Sequence, residues 1–129
     1  MNWEYKFYRG TLGKAATLLY TTPPNKRSVV TAIDIINRSG AVMYLNVYLL
    51  SNEDTTPTAA DALIYNMEIP DSITTGNQHC PVYRGWAVID TPKGGTIHAS
   101  ADDGSDGAVD CTISICGAEK TVKPELGNV

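Results

Sequence analysis

Apolar and polar residues alternate along Val109-Asp110-Cys111-Thr112-Ile113-Ser114-Ile115. Val109, Cys111, Ile113 and Ile115 therefore fall on one face of an extended chain, and Asp110, Thr112 and Ser114 on the other. A helix would scatter these four apolar residues around its axis, whereas a strand sets them in one row. The same period returns in Tyr44–Leu49, with Leu45, Val47 and Leu49 on one face. In Leu63–Ile69, Leu63, Tyr65, Met67 and Ile69 share a face opposite Asn66 and Glu68. One packed face and one wet face is the habit of antiparallel sheets. Weaker stretches at Trp3–Tyr8, Thr17–Tyr20, Ser28–Asn37, Trp86–Asp90 and Thr96–Ala101 bring the total to about eight strands.

The punctuation between these stretches suits strands. Pro23-Pro24-Asn25, Asn37-Arg38-Ser39-Gly40, Pro70-Asp71-Ser72, Pro92-Lys93-Gly94-Gly95 and Asp103-Gly104-Ser105-Asp106-Gly107 carry the residues that tight turns demand. Short strands with turns at near-regular spacing predict an all-β protein, an antiparallel β-sandwich of jelly-roll type. The one helical hint is Thr56-Pro57-Thr58-Ala59-Ala60-Asp61-Ala62, with Thr56 as cap and Pro57 at the first position, good for one short helical turn. Trp86–Asp90, Thr96–Ala101 and Ala108–Gly117 read as a three-stranded antiparallel meander, because sequential strands usually pair. Residues 14–119 make a single sandwich domain and residues 120–129 a C-terminal tail. The aromatic segment 1–13 reads either as an edge strand or as an arm docking on a neighbouring copy.

At 129 residues the chain is about one domain. Ten Lys and Arg against 14 Asp and Glu leave 10 − 14 = −4, a balance that argues against nucleic-acid binding, which needs clustered cations. The greasiest stretch, Ala41–Leu50, is about half of a membrane-spanning helix and contains Asn46. Met1–Lys6 has no apolar segment of the kind a secretion signal needs. A soluble, cytoplasmically made protein with no membrane partner is the expectation.

No constellation signals catalysis, so an enzyme is not expected. Asp102, Asp103, Asp106 and Asp110 could offer oxygen to calcium, but from Asp102 the third position is Gly104 and the twelfth Ile113, which breaks EF-hand spacing. An acidic hairpin turn is the simpler reading. His79, Cys80, His98, Cys111 and Cys116 show no zinc-ligand spacing. Cys111 and Cys116 lie five apart in one strand, on opposite faces and roughly 16 Å apart, too far for a disulfide. Gly10-Thr11-Leu12-Gly13-Lys14-Ala15 is a turn and not a phosphate loop, since its glycines are too close and Ala15 lacks the hydroxyl. Asn37-Arg38-Ser39 matches a glycosylation sequon only formally. No metal and no cofactor is expected.

The aromatic residues offer candidate contact surfaces instead. Tyr occurs seven times and Phe once. Trp3, Tyr5 and Phe7 alternate with Glu4 and Lys6 and would share one strand face. Tyr44 and Tyr48 oppose Leu45, Val47 and Leu49, which points them out of the core. Exposed tyrosine suits an interface, with a large apolar ring and a polar tip; it equally suits a strand whose outer face uses Tyr for β-propensity.

Lys14-Ala15-Ala16-Thr17-Leu18-Leu19-Tyr20-Thr21-Thr22-Pro23-Pro24-Asn25-Lys26-Arg27-Ser28-Val29-Val30-Thr31-Ala32-Ile33-Asp34-Ile35-Ile36-Asn37 resembles the opening of small tailed-bacteriophage virion proteins. In that family a Leu-Tyr-Thr, Pro-x-Lys turn precedes a long strand ending in Asn-x-Ser. Leu63-Ile64-Tyr65-Asn66 and the closing Ala108–Glu119, with its Thr-x-Ser-x-x-Gly, are similar to it too. The resemblance implies a structural component of the virion, present in many copies and without catalytic residues, most simply a capsid decoration (cement) protein. Its partners would be itself, as a homo-oligomer such as a trimer, and the major capsid protein. Neck, tail or fibre positions fit the same resemblance. A binding module that grips a host glycan or receptor through loops such as Asn52–Asp61 and Asp102–Asp110 is the competing expectation.

Overall fold

Eight strands follow one another along the chain of the computed structural model, which describes residues 5–50, 56–71, 80–89, 94–105 and 108–121. They are β1 (Tyr5–Gly13), β2 (Thr17–Thr21), β3 (Lys26–Asn37), β4 (Met43–Leu50), β5 (Ala62–Ile69), β6 (Cys80–Ile89), β7 (Thr96–Asp102) and β8 (Ala108–Thr121). One 3-10 turn, Ala59–Asp61, precedes β5. The strands form two antiparallel sheets ordered β1-β8-β3-β6 and β2-β7-β4-β5. This is the eight-stranded jelly-roll arrangement of two packed sheets.

The last three strands do not form the expected meander. β6 pairs with β3, β7 with β2 and β4, and β8 with β1 and β3. Among the described residues, the consecutive strands that pair are β4 and β5 alone. The reason is burial: each inward row needs a second sheet to cover it, and crossing between sheets puts successive rows face to face. β3 and β8 also match in length and pair from Lys26↔Thr121 to Asn37↔Cys111, a partnership no shorter strand could offer.

The core fills the space between the sheets. Val30, Ile33 and Ile35 of β3 meet Val109, Cys111, Ile113 and Ile115 of β8 and Leu45, Val47, Ile97, Ala99 and Ala101 of the facing sheet in one cluster. The inward row expected of β8 is therefore the row observed. β4 and β5 depart from strict alternation. On β4 Met43, Leu45 and Val47 are buried in turn, but the next buried residue is Leu50, with Leu49 only half-buried. On β5, Ile64 and Ile69 are buried while Tyr65 is exposed, so Tyr65 does not share the inner face as expected. A bulge explains the change of phase. Leu45 pairs with Met67 and Val47 with Ile64, so Asn46 alone faces both Tyr65 and Asn66. Asn66 takes a left-handed φ of 49°, and its N–H donates to Asn46 Oδ1 at 2.8 Å. One extra residue turns every side chain beyond it to the other face.

The N-terminal segment is an edge strand over its described length. Tyr5 pairs with Gly117 and Gly13 with Ala108. Phe7 lies in the core, 9% exposed, with its ring 4.4 Å from that of Tyr20 on the facing sheet. A side chain at Gly117 would strike Phe7 and the Val29 carbonyl, so the glycine of the Thr-x-Ser-x-x-Gly motif makes room for Phe7 and for close strand approach. Phe7 therefore packs in the chain's own core. β8 also runs on to Thr121, so Lys120 and Thr121 belong to the sandwich and not to the tail.

Polar pegs close the ends. Thr22 donates to Ser28 at 3.0 Å, Ser28 shares a hydrogen bond of 2.8 Å with the Tyr20 hydroxyl, and Tyr20 donates to Glu119. Burial, with the Glu119 carboxylate beside it, holds the Tyr20 hydroxyl far above a tyrosine's ordinary pKa, so it stays a donor. At the other end the buried Asn37 donates to Ala41 O at 2.7 Å and Ile69 O at 3.1 Å, while its Oδ1 accepts from Ser39 N and Oγ. The Asn-x-Ser motif is thus a turn clamp joining β3, β4 and β5. In the short turn before β5 the cap is Thr58 and not Thr56: Asp61 Oδ2 accepts from Thr58 N at 2.9 Å and Oγ1 at 3.1 Å.

Two substitutions test this packing. Phe7→Ala removes a core ring and is expected to cost about 3 kcal/mol, read from urea unfolding. An intersubunit role would instead leave monomer stability untouched. Asn37→Ala strands the buried carbonyl of Ile69 and removes the bond to Ala41 O, and is expected to cost about 2 kcal/mol, with the midpoint falling and the slope unchanged.

Candidate functional site

The candidate residues separate in space. Trp3 lies outside the described residues, and for Tyr5 only the backbone position on β1 is described. Phe7 is core. Tyr44 and Tyr48 do sit together on the outer face of β4, Tyr44 at 44% exposure and Tyr48 half-buried. The five residues therefore do not make one surface.

Around Tyr44 the outer face of the β2-β7-β4-β5 sheet holds a groove of about 400 Å³, lined by Lys14, Tyr44, Asn46, Asn66, Ser100 and Asp102. Strand pairing assembles it: Asn46 lies opposite Ser100, and Tyr44 opposite Asp102. Asn46 Nδ2 donates to Ser100 Oγ at 3.4 Å, and Lys14 Nζ lies 3.9 Å from Asp102 Oδ1. The β5 bulge brings Asn66 to the rim. Sequence alternation marked Tyr44 and Asn66 as outward, but only the strand pairing with its bulge brings them to one groove.

The opposite outer face is different in kind. Trp86, 69% exposed, and Val88, 44% exposed, lie on edge strand β6. Val88 pairs with Val29, which pairs in turn with Ala118, so an apolar row crosses three strands. Arg27, Glu119 and Lys120 border it around a second groove of about 400 Å³. Local pattern places a strand at Trp86–Asp90 without revealing this surface. A usable signal was present: Ala87 and Ile89 face inward, yet Trp86 and Val88 are apolar too, and a strand apolar on both faces expects cover on both.

The acidic turn is self-satisfied where it is described. Asp102 Oδ1 accepts from Gly104 N at 2.8 Å, and Asp103 Oδ1 accepts from Ser105 N at 2.9 Å and Ser105 Oγ at 2.5 Å. Those bonds hold the Asp103 carboxyl below its usual pKa. Asp110 pairs instead with Arg38, Nε to Oδ1 at 3.2 Å. Asp106 lies outside the described residues, as does His79. Among the described residues no three His, Cys, Asp or Glu side chains converge on a common point. Cys80, Cys111 and Cys116 are not joined in disulfides, and burial raises the pKa of Cys111, which suppresses its thiolate.

His98 lies on β7 opposite Tyr48 and Leu18, almost wholly covered, with Thr96 Oγ1 3.4 Å from Nδ1. Burial lowers its pKa below 6.5. Compared with known proteins, the chain matches no family model and no curated sequence.

The lowered pKa fixes the sign of a pH effect. Below pH 6.5 the unfolded chain takes up the His98 proton before the folded chain does, so stability falls as pH drops through that window. A series of melting temperatures from pH 7.5 to pH 5 is expected to decline, and His98→Gln to flatten the decline. An unchanged slope in the variant would assign the decline to other groups.

Proposed function

We propose that this chain is a non-catalytic structural component of a tailed-phage virion, a head decoration protein that binds capsid subunits and its own copies. The observation that carries the reading is the pair Trp86 and Val88, exposed on the edge strand β6 and continued by the more covered Val29 and Ala118 of the two neighbouring strands. A tryptophan left 69% in water is a poor choice for a monomer and a strong anchor for an interface. Arg27, Lys120 and Glu119 around it supply a charged rim of both signs. The jelly roll recurs in capsid architectures, and the Asn-x-Ser and Thr-x-Ser-x-x-Gly motifs of the virion resemblance have structural work here, as turn clamp and as seat for Phe7. A fold alone does not fix a function; the exposed pair does the arguing. A neck or tail position would use the same face with fewer copies.

Mass spectrometry of purified particles tests the reading. Hundreds of copies per particle mark a head decoration, a dozen or fewer a neck or tail part, and none overturns it. Trp86→Ser is expected to leave the melting temperature within a few degrees while weakening binding to undecorated particles at least tenfold, about 1.4 kcal/mol. Undiminished binding would move the interface elsewhere.

A further inference from the structure

The groove on the other outer face calls for a different occupant. Its lining is one aromatic ring, two carboxamides, a hydroxyl, a carboxylate and an ammonium, supplied by Tyr44, Asn46 and Asn66, Ser100, Asp102 and Lys14. A ligand that fits must offer many hydroxyl donors and acceptors together with a small apolar face for the ring. Lys14 and Asp102 offset one another at 3.9 Å, so the groove presents no net charge to attract an ion. At about 400 Å³ it has the size of a small-molecule site.

Two further observations show a built surface. Asn66 stands in a left-handed conformation at φ 49°, fixed by the bond from its N–H to Asn46 Oδ1. Such backbone conformations persist where the surroundings hold them, and they concentrate at binding sites. Asn46 is held at both ends, its Oδ1 by Asn66 N and its Nδ2 on Ser100. Among the described residues the Asn66 carboxamide and the Tyr44 hydroxyl have no protein partner, so both are available to a ligand. A rigid floor with free polar tips at its rim is the pre-organised arrangement that lowers the entropic cost of binding.

We infer that this groove binds one neutral pyranose unit of a surface glycan, with its C–H face on Tyr44 and its hydroxyls on Asn46, Asn66, Ser100 and Asp102. The site lies on the sheet face and not in the loops Asn52–Asp61 or Asp102–Asp110, though Asp102 belongs to both. It is independent of the Trp86 surface, which lies on the opposite sheet. One open, shallow subsite predicts millimolar affinity, near −4 kcal/mol, which many copies on one particle would multiply by avidity.

The test is a ¹H–¹⁵N NMR titration of the full chain with the methyl glycosides of glucose, galactose, mannose, N-acetylglucosamine and N-acetylgalactosamine. Saturable shifts are expected for at least one sugar, centred on Tyr44, Asn46, Asn66 and Ser100. Tyr44→Ala and Asn66→Gly are each expected to raise the dissociation constant tenfold or more. Glycine accepts the left-handed conformation, so Asn66→Gly removes the carboxamide and keeps the bulge. Trp86→Ser is expected to leave the titration unchanged, which separates this site from the assembly surface. No saturable response to any of the five sugars overturns the inference. So do shifts centred elsewhere, or shifts that persist in both groove variants.

Discussion

The sandwich depends on the burial of one row of side chains against another. Val109, Cys111, Ile113 and Ile115 of β8 are essentially without solvent contact, and the strands that face them contribute Leu45, Val47, Ile97 and Ala99. Each fully buried aliphatic side chain contributes about 1.5–3 kcal/mol. β8 sits between β1 and β3, so its row also fixes the register of both neighbours. Phe7 reaches that core only because Gly117 has no side chain, which ties the edge strand to the centre of the sheet.

Once the inner rows are closed, the outer faces are set by where the strands slip phase. The β5 bulge places Tyr65 and Asn66 outside together and leaves Ile64 and Ile69 inside. The same device occurs on β1 and β3, each with register shifts against its neighbours. Bulges on edge strands also spoil a template for unwanted pairing. β2 achieves this by being only five residues long. Core packing and surface chemistry are therefore linked: the residue that repairs the alternation on β5 is the residue presented at the rim of the groove.

The two outer faces divide the chemistry. One carries Trp86 and Val88 in an apolar row with a charged rim, suited to a protein partner; the other carries polar groups around Tyr44, suited to a hydroxyl-rich ligand. The exposed ion pairs, Arg38–Asp110 and Arg84–Asp34, add little to stability in water. The hydroxyl chain from Thr22 to Glu119 and the clamp at Asn37 matter more, because Thr22, Ser28 and Asn37 are buried and cannot turn to solvent instead.

Period-2 alternation by itself determined the all-β class, a stretch within each of the eight strands and the inner row of β8, because a packed face and a wet face leave that imprint on a strand. It also determined that Tyr44 points outward. Pairing was decided only in three dimensions. Nothing in Trp86–Asp90 or Thr96–Ala101 says that β6 joins β3 and β7 joins β4, since the choice rests on which inward rows cover each other across the sandwich. Cys80–Gly85 stayed hidden because Pro81 and Gly85 argue against a central strand, yet both are tolerated on an edge. Phe7 shares a strand face with Trp3 and Tyr5 and reads as a contact residue; the space over Gly117 makes it core. Asn66 became a groove residue through strand pairing, and Trp86 a surface candidate through the absence of cover among the described residues. Local pattern dictates which way a side chain points from its strand, but only the folded chain decides what stands in front of it.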